Sequence, residues 1–205
     1  MPKRSALVLL AAILLVFAVP ESRSADQILV APGATWKFHD KGVSLGTAWS
    51  AAGYDDSAWA QGNAQLGYGD ADEATVLAFG SSTNRYPTYY FRRAFTVANP
   101  GSISALSLRY LRDDGAVIYV NGVEVVRSNM PAGAISYATL ASAAIGGTDE
   151  TTWLQTPLDK SVLVAGTNVI AVEIHQQSAT SSDVSFDLEL RATVPSTAPW
   201  TDPQT

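Results

Sequence analysis

The sequence predicts an all-β fold, a single antiparallel β-sandwich, and three observations lead there. Apolar residues recur with period two rather than 3.6 along most of the chain. Clusters of Gly, Asp, Ser and Asn punctuate those runs as turns do. No alternation of strand and helix patterns supports a parallel sheet.

The amino terminus lies outside that pattern. Residues 6–19 form one unbroken apolar run, preceded by Lys3 and Arg4 and followed by Pro20 and the small residues of 22–25. This is the layout of a secretory signal peptide over 1–24, with cleavage after Ser24 or Ala25. The run is shorter than the roughly 20 residues that span a bilayer, so it does not read as a membrane anchor. The expected location is secreted, periplasmic or extracellular, with no membrane attachment after cleavage.

Removing 1–24 leaves ten Lys and Arg against eighteen Asp and Glu, a net charge of −8 where the 205-residue chain carries −6. An acidic product lacks the Lys and Arg that neutralise phosphates, so nucleic acid is not an expected partner. The chain has no Cys, which excludes disulfides, thiolate metal ligands and a Cys nucleophile. It has no Asn-x-Ser/Thr acceptor either, and a bacterial export product is the simpler reading. Stability must then come from one ordinary hydrophobic core.

Strands are expected in order at 35–38, 89–97, 106–111, 117–120, 123–126, around 153–154, at 169–175 and at 185–191. In the last, Phe186, Leu188 and Leu190 share one face and Asp187, Glu189 and Arg191 the other, which predicts a half-buried strand. Ile170, Val172 and Ile174 oppose Ala171, Glu173 and His175 in the same way. Asn121-Gly122 between two β-branched runs predicts a tight hairpin with positive φ at both residues. The sandwich is expected to fill 25–193, and the Pro-containing segment 194–205 to serve as a linker or tail.

Five segments occur in a recognisable order: Ala52-Gly-Tyr-Asp-Asp-Ser-Ala-Trp59, Gly62-Asn-Ala-Gln-Leu-Gly-Tyr-Gly-Asp70, Tyr90-Phe-Arg-Arg-Ala-Phe95, Leu111-Arg-Asp-Asp-Gly-Ala-Val-Ile-Tyr-Val-Asn-Gly122 and Gly166-Thr-Asn-Val-Ile-Ala-Val-Glu-Ile-His175. Together they resemble the galactose-binding-domain-like jelly roll. The sugar-binding domain of glycoside hydrolase family 2 and modules appended to secreted bacterial metallophosphoesterases are the nearest types. The resemblance implies a secreted, non-catalytic carbohydrate-binding module accessory to a hydrolase, acting on polysaccharide or cell-wall material. It equally accommodates a structural spacer within a larger metallophosphoesterase or other surface enzyme, binding no sugar.

Candidate ligand residues combine aromatic faces with planar polar groups in predicted loops: Tyr68, Asp70, Arg85, Tyr86, Asp113, Asp114 and Trp153. Each aromatic can alternatively be a core or edge residue. No cofactor is required, although the acidic stretches 67–73 and 113–115 also suit a structural Ca²⁺; neither carries the complete Asp-x-Asp-x-Asp-Gly loop ending in Glu. Two histidines, His39 and His175, are too few for a three-His Zn²⁺ site or a binuclear phosphoesterase centre. A glycosidase using Asp113 or Asp114 with Glu173 is the catalytic alternative.

Six side chains carry more specific expectations. Asp55, Asp56 and Ser57 are expected to cap a turn, with Trp59 closing one end of the core. Arg93 shares a face with Phe91, Phe95 and Val97, so it is expected to need a carboxylate partner, or to clamp an anion. His175 is expected with Glu173 on the polar face of its strand in a surface or inter-strand hydrogen-bonding role, with orienting a ligand or acting as a general base as the alternative.

Overall fold

The computed structural model describes residues 24–195, and the expected signal segment and most of the expected tail lie outside them. Fourteen strands follow in chain order: β1 (Ser24–Val30), β2 (Thr35–His39), β3 (Ala60–Asn63), β4 (Leu66–Tyr68), β5 (Thr75–Val76), β6 (Gly80–Ser81), β7 (Asn84–Arg85), β8 (Thr88–Val97), β9 (Ala105–Asp113), β10 (Gly115–Val120), β11 (Val123–Ser128), β12 (Leu154–Leu158), β13 (Gly166–His175) and β14 (Val184–Pro195). The described residues contain no α-helix, only four single 3₁₀ turns.

Two sheets face each other. One runs β12-β9-β14-β4-β5, with β1 also paired to β14; the other runs β11-β10-β13-β8-β2-β3. All pairings are antiparallel except β4 with β5. The expected antiparallel β-sandwich is therefore the observed one. Alternation explains the core between the sheets: Ile170, Val172 and Ile174 of β13 meet Phe186, Leu188 and Leu190 of β14. Trp36 and Phe91 both pack on the Phe186 ring, at centroid distances of 5.0 Å and 4.5 Å. Ring pairs at this spacing add to the area they bury.

The hairpin forms where Asn121-Gly122 demands it. Val120 opposes Val123, and the two loop residues have φ of 53° and 83°. Strands β3 to β7 escape prediction because they are two to four residues long and rich in Gly and polar residues. The stretch 67–72, expected wholly as turn, begins inside β4. At the other end, β14 carries Val194 and Pro195, the first two residues of the expected tail, into a ladder with Ala25 and Ser24.

The expectation that β13 and β14 expose their polar faces is corrected. Asp187, Glu189, Glu173 and His175 are all buried. On β14, the Gly33 amide donates to Asp187, while Arg109 and Arg191 lie over Glu189. On β13, a second small core of Trp49, Trp59, Tyr90 and Ala171 covers the sheet. Trp59 thus closes this outer layer rather than the main core.

Gly67 shows how tightly β4 and β14 meet: a Cβ there would stand 1.9 Å from the Val184 carbonyl oxygen. Gly67→Ala is expected to cost about 3 kcal/mol in urea unfolding, as overpacking against backbone does. Gly53→Ala, with nothing within 4 Å of its added methyl, should be close to neutral.

Candidate functional site

The outer layer over the second sheet is pinned by one cation. Arg92, on β8, is 1% exposed and its Nε donates to Asp56 Oδ2 at 2.8 Å. Its Nη1 donates to the carbonyls of Trp49 and Ala51, and Lys37 reaches the other Asp56 oxygen at 2.6 Å. Burial opposes ionisation of Asp56, but the hydrogen bonds from Lys37 and Arg92 outweigh it and hold the carboxyl below its usual range. Asp55 makes the expected turn cap by accepting from the Ser57 amide at 3.0 Å.

This corrects the expectation for Arg93. Among the described residues Arg93 has no carboxylate partner; its guanidinium donates to the Thr35 carbonyl. The buried ion pair belongs to Arg92, because both faces of β8 are covered and alternation alone does not reveal the second layer.

The fold of 40–59 and 130–142 over β10 and β13 leaves a pocket of about 200 Å³. Trp49, Tyr119 and Tyr137 supply its aromatic walls, Thr47, Ser50 and Ser136 its hydroxyls, and Glu173 its carboxylate. The Tyr119 hydroxyl donates to Glu173 Oε1 at 2.7 Å, and His175 Nε2 stands 3.3 Å from Oε2. His175 is fully buried; its Nδ1 lies 3.0 Å from the Thr88 hydroxyl and 2.7 Å from the Thr139 carbonyl. Neighbouring groups on three elements therefore hold Glu173 and His175 in fixed positions. None of these pocket residues except Glu173 was singled out for a site from sequence, since an aromatic cluster assembled from 49, 119 and 137 has no local signature.

The sequence-derived candidates lie at one end of the sandwich, where β4 ends, β9 ends and β14 begins. Ser185 pairs with Gly67 on one side and Asp113 on the other, which brings the flanking loops together. Tyr68 is buried, accepts from Gln176 and packs on Phe79 at 4.8 Å, so it offers no ring face to a ligand. Arg85 lies over the Tyr68 and Phe79 rings at 4.9 Å and 4.2 Å. Tyr86 is half-buried against the main core, and Trp153, also half-buried, stacks under Arg109. These aromatics build no common platform.

The carboxylates separate as well. Asp114 is a structural brace: its oxygens accept from the Ile145 and Gln177 amides at 2.7 Å and 2.8 Å. Asp113 is fully buried with neither oxygen hydrogen-bonded, and burial, then Asp114 and Asp183, push its carboxyl up to about 9. Asp70 accepts from Ser185 at 3.0 Å. Neither Asp113 nor Asp114 shares the pocket with Glu173, so the glycosidase pairing is not assembled.

One further pattern favours catalysis on paper. Gly42-Val43-Ser44-Leu45-Gly46 matches Gly-x-Ser-x-Gly. A nucleophile elbow requires a strand, a sharp turn and a helix, and here Ser44 lies exposed in an irregular loop followed only by the single 3₁₀ turn of Ala48–Ser50.

No family model matches the chain, and no curated protein does. Solved structures do. A Bacteroides uniformis β-glucuronidase superposes with a TM-score of 0.53 at 17% identity, covering 83% of this chain and 18% of that one. A glycosyl hydrolase family 2 member from Bacteroides cellulosilyticus gives 0.52 at 16%, with 82% and 20% covered. A β-glucuronidase from an uncultured Clostridium gives 0.50 at 15%, with 89% and 31% covered.

The chain shares its β-sandwich fold with a part of each of these glycosidases. This sandwich spans only a fifth to a third of those glycosidase chains. At such identities the likeness concerns architecture alone, and the rest of each glycosidase has no counterpart in the residues described here.

Asp56→Ala is expected to destabilise the sandwich by about 3 kcal/mol, because it strips the carboxylate from a buried guanidinium. The pair also fixes a pH dependence. The Asp56 carboxyl titrates lower in the fold than in the unfolded chain, where it titrates near about 3.9. Its stabilisation is complete above that value and is lost as pH falls through the lower, folded one. Unfolding free energies of the unmodified protein and Asp56→Asn should therefore differ at pH 7 and begin to approach one another only as pH falls below about 4.

Proposed function

We propose that this chain is an exported, non-catalytic carbohydrate-binding module, accessory to a hydrolase, and that its sugar site is the pocket over β10 and β13. The observation that carries the reading is the pocket's composition: three aromatic walls around one fixed carboxylate with hydroxyls at the rim. Sugars present apolar C–H faces to aromatic rings and donate hydroxyl protons to carboxylates, and a site of few polar groups in an apolar setting is the usual recognition format. The apolar run and basic residues at the amino terminus support export. No described helix is long and apolar enough to cross a membrane.

Glu173 narrows the ligand class. A carboxylate held by Tyr119 in a confined pocket repels a uronic acid and attracts neutral hydroxyl donors. Neutral hexoses or their oligomers are the expected ligands, rather than glucuronides. The spacer reading draws on the buried Tyr68 and on the small share of each glycosidase that the sandwich spans.

Glycan-array binding, followed by tryptophan-fluorescence titration with the hits, decides between them. Binding of neutral glycans with quenching of Trp49 is expected. Tyr137→Ala should weaken it about tenfold with an unchanged melting temperature, since Tyr137 is only half-buried. No retention on any glycan or insoluble polysaccharide would leave the spacer role.

A further inference from the structure

Past Lys37 the second sheet comes apart. Strand β2 pairs with β8 only at Lys37–Arg92, Phe38–Phe91 and His39–Tyr90, whereas β2 stays on β3 as far as Thr35 and β8 stays on β13 as far as Val97. The two strands therefore part beyond the Lys37 and Arg92 pair, and a pocket of about 260 Å³ opens there. Arg93, the first β8 residue past the last pair, donates across the gap to the Thr35 carbonyl.

Two independent features of the lining ask for the same kind of ligand. The first is charge. Lys37, Arg92 and Arg93 meet one carboxylate, Asp56, so the lining holds two positive charges in excess, in a chain whose net charge is −6. Both Asp56 oxygens are already occupied, Oδ1 by Lys37 and Oδ2 by Arg92. Among the described residues Arg93 has no carboxylate within ion-pair distance. Burial alone acts on its guanidinium and draws it below the usual range, with no opposite charge to offset that. The second feature is hydrogen bonding. Trp36 and Arg93 both line the pocket, and Trp36 Nε1 and Arg93 Nε are buried without an acceptor among the described residues. Trp36 is 1% exposed, and its indole N–H can only donate, as can every guanidinium N–H. Buried donors without acceptors are destabilising, so two of them on one lining mark where an acceptor belongs. A ligand built of acceptors and carrying negative charge answers both features.

We propose that the pocket between β2 and β8 binds an oxyanion, with Arg93 and Lys37 supplying the charge and Trp36 Nε1 and the Gln61 amide further donors. A planar guanidinium suits a carboxylate or a sulfate equally, because both present two oxygens to its fork. An acidic sugar residue and a free inorganic anion offer this same chemistry. The site shares no lining residue with the sugar pocket, and it lies on β2, β3 and β8 of the same sheet, rather than over β10 and β13. The segment 48–59 borders both, since Trp49 lines the one and Asp56 the other. The inference therefore stands whether or not the first pocket takes a neutral sugar.

The test titrates the full, isotope-labelled chain with sodium sulfate and, separately, with sodium galacturonate at constant ionic strength, and reads proton–nitrogen correlation spectra. Saturable shifts of Trp36 Nε1–H and Arg93 Nε–H are expected with both anions, at millimolar dissociation constants. The indole of Trp153, which stacks under Arg109 on the other sheet, should not move, and neutral galactose should shift neither Trp36 nor Arg93. Tighter binding of galacturonate than of sulfate assigns the anion to an acidic sugar, and the reverse order to a free inorganic anion. Arg93→Gln should weaken both anions at least about tenfold. Arg93→Lys, which keeps the charge but not the planar fork, should weaken them as well. Melting temperatures show whether each variant has kept its fold, and the titration of the unmodified protein is decisive without them. Shifts that never saturate, or that appear equally at Trp153, overturn the proposal, as does undiminished affinity for both anions in folded Arg93→Gln.

Discussion

The rest of the structure depends on the burial of the Arg92 guanidinium. A β-sandwich needs only one covered face per sheet, and the core between β13 and β14 supplies it. Arg92 sits on the opposite face, where an isolated charge would be prohibitively costly unless partners came to it. Those partners are the Asp56 carboxylate and the carbonyls of Trp49 and Ala51, all from the single segment that crosses the outside of the sheet. Satisfying one guanidinium therefore folds the 48–59 segment down. Trp49 then meets Tyr90 at 4.7 Å and Tyr119 at 5.7 Å, and a second core follows.

From that layer comes the pocket. Glu173 and His175 lie on the same strand face as Ala171, at the margin of the second core, and the aromatic cover excludes water from them without filling all the space beside Tyr119 and Tyr137. The rigidity of these groups and the pocket beside them have one source: a polar sheet face that acquired a roof. The other sheet solves its polar face differently, with Arg109 and Arg191 laid over Glu189.

Much of the architecture was legible in the sequence. Period-two alternation located β8, β9, β10, β11, β13 and β14 but missed β1, and Asn121-Gly122 located the hairpin, because both signals are local. What was not legible depends on contacts between distant segments. Arg92 and Arg93 are indistinguishable by pattern once both faces of β8 are buried. Tyr68 looked like a loop aromatic because Gly flanks it, yet the close approach of β4 to β14 at Gly67 buries it. Asp113 and Asp114 looked like ordinary turn chemistry; only Asp114 has amide donors, and the difference lies in where residues 145 and 177 happen to run.

The ladder between β1 and β14 has a mechanical meaning. Ser24 pairs with Pro195 and Val30 with Leu190, so the two ends of the described chain leave the sandwich side by side at the same corner. Tension applied between them is carried first by the Ser24 and Pro195 pair alone, and then by each following pair in turn, as when a zip is pulled open. A tether attached at both ends would peel β1 away at low force, whereas load entering through only one end and passing out through a bound ligand would cross the sheets and spare that seam.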